Sequence, residues 1–155
     1  MGAAYFYHLT REPLERTLPV LLGKALGAGW RCSVVGGTSA RRSALDQALW
    51  LGDDTAFLPH GLEGGAHDAD QPVLMCAQVN EANAPDCVMM IDGAEISPEL
   101  VKSKSRVCIL FDGTDEDAVN TARGQWKALT DAGCAAQYWS EETGSWVKKA
   151  EKAET

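Results

Sequence analysis

Four side chains in "HGLEGGAHDAD", His60, His67, Asp68 and Asp70, are of the types that clasp a metal ion. Their spacing follows no ligand rule and the intervening glycines supply no rigid scaffold, so a solvated loop is the better reading. "VVGGTSARR" stands where a strand would meet a helix, a place that can seat a phosphate on a helix N-terminus. It has neither the GxGxxG of a dinucleotide fold nor the Lys-Ser/Thr of a P-loop, and a tight turn with a capping residue accounts for it more simply. Asp92 and Asp112 close two apolar runs, where open α/β sheets place their ligand groups. Catalysis by that pair is the sharper reading, and loop capping the plainer one. No GxSxG elbow occurs and no carboxylate pair is framed by a distinctive motif. No cofactor is expected.

Two features are better suited to binding a partner than to chemistry. In "ALDQALWLGDDTAFLPHGL", residues 44–62, Trp50 ends a helical run, and Phe57 and Pro59 follow in irregular chain before His60. The aromatics are either the rim of a core or a surface that another protein covers. In "ARGQWKAL", Trp126 sits on the shoulder of a helix, with Arg123 and Lys127 one step further round. A cation beside an aromatic ring can receive an anion that itself carries a ring, whereas the plain reading is a solvated helix face.

These residues need elements to position them. "AAYFYHL" (3–9), "RCSVVGG" (31–37), "VLMCA" (73–77), "CVMMID" (87–92), "SRVCILFD" (105–112) and "CAAQYWS" (134–140) are apolar runs of strand length. Between them, Leu14, Leu18, Leu21, Leu22, Ala25 and Leu26 repeat at helical spacing, with Pro13 in the first turn and Pro19 as a candidate kink. A second helix starts at Ser39 as N-cap and places Leu45, Ala48 and Leu49 on one face. A third, within 115–133, opens on acidic residues and closes before Gly133. Runs of strand and helix in alternation predict an α/β fold, a Rossmann-like three-layer sandwich with a mostly parallel central sheet and no nucleotide fingerprint. One domain is expected over 1–147, with 148–155 a charged, frayed tail.

The 155 residues suit one such domain. Net charge is −8, unevenly spread: residues 1–50 carry six Lys/Arg against three Asp/Glu, and the rest eight against nineteen. That balance argues against nucleic-acid binding as the main duty, because a broad cationic footprint is absent, and leaves direct single-stranded DNA binding as an alternative to be tested. The five cysteines are odd in number, widely spaced and set among apolar neighbours, with no CxxC, which suits buried free thiols. No apolar run reaches the length of a membrane span and the N-terminus shows no export pattern, so a cytoplasmic location is expected.

"AAYFYHL", "ALDQALWLGDDTAFLPHGL", "QPVLMCA" and "ARGQWKAL", in that order, resemble the chi subunit of bacterial DNA polymerase III over nearly the whole chain. The resemblance implies a non-catalytic accessory subunit with a Rossmann-like fold and no nucleotide. It also implies that the chain links the clamp loader to the acidic C-terminal tail of single-stranded DNA-binding protein, which ends in Phe, so that contact with DNA is mainly indirect. By the same resemblance Arg123, Trp126 and Lys127 match the tail-binding helix. Trp50, Phe57, Pro59 and His60 match the surface for the psi subunit, or for another protein at that place. Val119 and Asn120 occupy the preceding turn, where family members often carry a further basic residue. The rival reading from a different class is a small α/β enzyme using Asp92 or Asp112.

Overall fold

A computed structural model describes residues 2–10, 13–50, 60–141 and 146–153, with Trp50 described in its backbone alone. Its strands are β1 (Ala3–Leu9), β2 (Cys32–Val35), β3 (His60–Leu62), β4 (Val73–Cys76), β5 (Cys87–Met90), β6 (Arg106–Asp112), β7 (Ala135–Ser140) and β8 (Val147–Lys152). The helices are α1 (Leu14–Gly27), α2 (Ser39–Trp50), α3 (Pro98–Ser103) and α4 (Glu116–Asp131). The strands form one sheet in the order β3-β4-β2-β5-β6-β1-β7-β8. Every ladder is parallel except β7 with β8, which is antiparallel. The expected α/β sandwich is therefore the observed one.

The inner strands read as unbroken apolar runs because both of their faces are covered. On β4, Met75 points into a core with Leu18, Leu22 and Leu45 of α1 and α2, while Leu74 and Cys76 point into a second core with Leu100, Val101, Ala122 and Leu129 of α3 and α4. The same alternation divides Met89 from Val88 and Met90 on β5, and Leu110 from Ile109 and Phe111 on β6. All five cysteines are buried and free. Burial pushes the Cys76 thiol up to about 12, which suits an inert packing group.

Local chemistry sets the helix ends. Asp115 caps α4, its carboxylate accepting from the backbone N–H groups of Asp117 and Ala118. Ser97 caps α3 by accepting from Leu100 N–H at 3.2 Å, with Pro98 in the first turn. The cap of α2 is Thr38 rather than Ser39: its Oγ1 accepts from Arg41 N–H at 3.1 Å, and Ser39 is already helical. Pro13 stands just before α1 in extended conformation, and α1 continues through Pro19.

The largest departure from the sequence reading is at the end of the chain. Residues 148–152, expected to fray, pair along β7 as part of β8. Their side chains are all exposed, so the strand is held by its backbone ladder and leaves no hydrophobic trace in the sequence.

The route of the chain also creates a cleft. β1 and β6 are neighbours, but α1 leaves β1 over one face of the sheet while α4 leaves β6 over the other. Helices that part to opposite faces open a crevice beyond the carboxyl ends of their strands.

Candidate functional site

That crevice has a volume of about 750 Å3 and an apolar floor that includes Leu9, Leu14, Ile109 and Phe111. Among the described residues its charged lining is Glu15, Asp92, Asp112, Asp115 and Asp117, opposed by Arg41. A lining of that sign repels phosphate rather than gathering it. Arg41 is itself engaged: it donates to Asp92 Oδ2 at 3.1 Å and to Glu15 Oε1 at 2.5 Å, tying the starts of α1 and α2 to the end of β5. Asp112 accepts from the Thr114 hydroxyl at 2.6 Å and the Thr114 N–H at 2.8 Å. Those two bonds hold its carboxyl below the ordinary range, the reverse of what a general acid needs. Asp112 thus caps a loop and Asp92 serves an ion pair.

The turn between β2 and α2 is equally closed to a phosphate. Gly36 and Gly37 have φ of 120° and 75°. A Cβ on Gly36 would stand 2.3 Å from the Ile91 carbonyl oxygen, so only glycine fits. The guanidinium of Arg42 donates to the Gly37 carbonyl at 2.5 Å, occupying the loop from within the chain.

The metal-type residues of 60–70 are not brought together. His60 is 5% exposed, with Nε2 3.2 Å from Asp46 of α2. Asp68 instead accepts from the backbone N–H groups of Gly64 and Gly65, and His67 lies 3.9 Å from Asp70 on the exposed turn. Among the described residues no three His, Cys, Asp or Glu side chains are arranged to hold a metal. The resemblance places His60 on a partner surface. Its ring is buried against α2, where it ties β3 to the helix that ends in Trp50. Phe57 and Pro59 lie outside the described residues, as does the side chain of Trp50.

The α4 residues do come together. Ala122 and Leu129 are buried and set the inner face. Gln125, on one flank, donates to the Ala94 carbonyl at 2.9 Å. Trp126, on the other flank, is half-buried and meets Phe6 of β1 and Tyr138 of β7 edge-on, at centroid distances of 5.4 and 6.1 Å. His8 and Phe111 extend the cluster, and His8 Nδ1 lies 2.7 Å from the Tyr138 hydroxyl. At 100° per residue, Arg123 and Lys127 stand on the Trp126 side and further out. Arg123 is exposed and makes no hydrogen bond or ion pair among the described residues. Lys127 pairs with Asp131 at 3.1 Å, but both side chains are largely exposed and water competes for them. This flank therefore offers an uncommitted guanidinium beside a fixed aromatic edge.

A sheet of this topology with an acidic crevice and a self-filled strand–helix turn defines a Rossmann-like protein that keeps the frame of a nucleotide fold without its phosphate-binding parts. The family model described as DNA polymerase III chi subunit, HolC, matches residues 1–137, and the chain belongs to that family. The family supplies an accessory subunit of DNA polymerase III, part of its clamp-loader complex, in DNA replication. No curated protein matches the chain. Among the described residues no helix is long and apolar enough to cross a membrane.

Proposed function

We propose that the chain is a non-catalytic, cytoplasmic adaptor of the DNA polymerase III holoenzyme, with two protein-binding surfaces and no cofactor. The α4 flank takes the acidic C-terminal tail of single-stranded DNA-binding protein: Arg123 forks onto the terminal carboxylate, Trp126 borders the Phe ring and Lys127 draws in the aspartates. The end of α2 and the chain after it, with Trp50, Phe57 and Pro59, meets a psi-type subunit or another protein in that place. His60 joins β3 to the helix that ends at Trp50.

The observation that carries this reading is Arg123, an exposed guanidinium without a hydrogen bond or ion pair among the described residues, set beside a half-buried Trp in a chain of net charge −8. A direct DNA binder needs many such cations, whereas one short acidic tail needs few. The enzyme reading is the weaker because Asp92 and Asp112 are already committed to Arg41 and Thr114. The test is co-migration with single-stranded DNA-binding protein, intact or lacking its tail. Complex formation with the intact protein alone supports the proposal. Equal binding of the two forms, or nucleotide turnover that a point mutation abolishes, overturns it.

A further inference from the structure

Strand β8 carries Lys148, Lys149 and Lys152 against Glu151, a locally basic segment of an acidic chain, and it lies beyond the residues the family model matches. Directly opposed residues of neighbouring strands share a face of the sheet, so pairing fixes where each side chain points. Lys152 opposes Ala136, and Ala150 opposes Tyr138. Ala136 and Tyr138 belong to the core under α4, so Lys152 and Ala150 stand on the α4 side. Glu151 opposes Gln137 and accepts from its amide at 2.8 Å, and Lys148 pairs with Glu151 at 3.3 Å, on the other side. The ladder shifts register between Tyr138 and Trp139, which leaves Lys149 as the additional residue. Neither Lys149 nor Lys152 has a hydrogen bond or ion pair among the described residues.

Helix α4 leans its cations the same way. Gln125 reaches Ala94, just past β5, whereas Trp126 touches Tyr138 of β7. The Arg123 and Lys127 side of the helix is thus the side nearer β7 and β8. Trp126 meets Tyr138 of β7, the strand along whose far edge β8 pairs.

We propose that β8 is the second wall of the peptide site. An acidic peptide with a C-terminal aromatic residue places its carboxylate at Arg123, and its upstream carboxylates run across Ala150 to Lys152. The proposal rests on the reading of α4 as a peptide site. The charges are complementary: the helical turn before Arg123 offers only Val119 and Asn120, and Lys152 of β8 supplies a further cation on the same side.

The experiment titrates a fluorescent acidic peptide ending in Phe against the full chain, Lys152→Ala, Lys148→Ala and Arg123→Ala. Lys152→Ala should bind roughly two- to fivefold more weakly at low salt, with the gap closing as salt is added, as expected for an exposed charge. Lys148→Ala, on the opposite side, should bind as the unmodified chain does. If Arg123→Ala weakens binding and Lys152→Ala does not, β8 is no part of the site and the α4 reading stands. If the unmodified chain fails to bind the peptide, both readings fall.

Discussion

Replacing Arg123 by Ala separates binding from folding more cleanly than any other change on α4. The guanidinium is exposed and makes no hydrogen bond or ion pair among the described residues, so its loss removes no such bond there. Surface substitutions of that kind stay within about 0.5 kcal/mol, which for a domain of this size moves Tm by less than about 2 °C. In a complex the same group makes hydrogen bonds to a charged carboxylate, worth about 1.5–3 kcal/mol net. Arg123 is exposed and water competes for it, so the lower end applies, and at about 1.4 kcal/mol per decade the expected loss is roughly tenfold in Kd. Lys127→Ala should do less, because Asp131 already engages that ammonium and added salt screens what remains. Fluorescence anisotropy with an acidic peptide ending in Phe reads both values, and a melting curve of each variant supplies the stability control. Unchanged affinity in Arg123→Ala, or indifference to removal of the terminal Phe, would show that the tail docks elsewhere.

Trp126→Ala should contrast with this by costing stability as well as affinity. Its edge-on contacts with Phe6 and Tyr138 are lost, and about 2–3 kcal/mol would lower Tm by roughly 4–12 °C. Trp50→Ala should weaken capture of the second partner by about 2 kcal/mol or more while leaving Tm nearly unchanged, whereas a large loss of Tm would make Trp50 a core residue. The Asp112 carboxyl, held low by Thr114, contributes stability that is present above its ordinary value of 3.8 and is lost as pH falls through the lower folded value. Asp112→Asn should therefore flatten the acid limb of urea midpoints measured against pH, and an unaltered limb would count against the Thr114 bonds.

What was legible in the sequence follows from where each element sits. β4, β5 and β6 are covered on both faces, so burial wrote itself into consecutive apolar residues such as Val73 to Cys76. α4 was legible through its period and its acidic first turn. β3 has three residues at an edge and β8 has six exposed ones, so backbone pairing rather than side-chain burial specifies both. α3 has six residues, too few for a repeat to emerge, although Ser97-Pro98 marks its start. Arg123, Trp126 and Lys127 were placed on one flank by helical geometry alone. The burial of His60 was not legible, because it comes from a tertiary contact with Asp46 that leaves no trace in the local sequence.

The ladder between β7 and β8 bears also on the colloidal behaviour of the chain. Without β8, the far side of β7 would present a row of unpaired backbone groups beside Tyr138 and Trp139. An open strand edge next to aromatic side chains is a template for pairing with a second molecule. β8 fills that edge, and its lysines, crowding and repelling their copies on any approaching molecule, make a poor surface for further stacking. A shortened chain ending at Trp146 would trade this guarded border for an adhesive one, with self-association rising with concentration even where the core beneath remained intact.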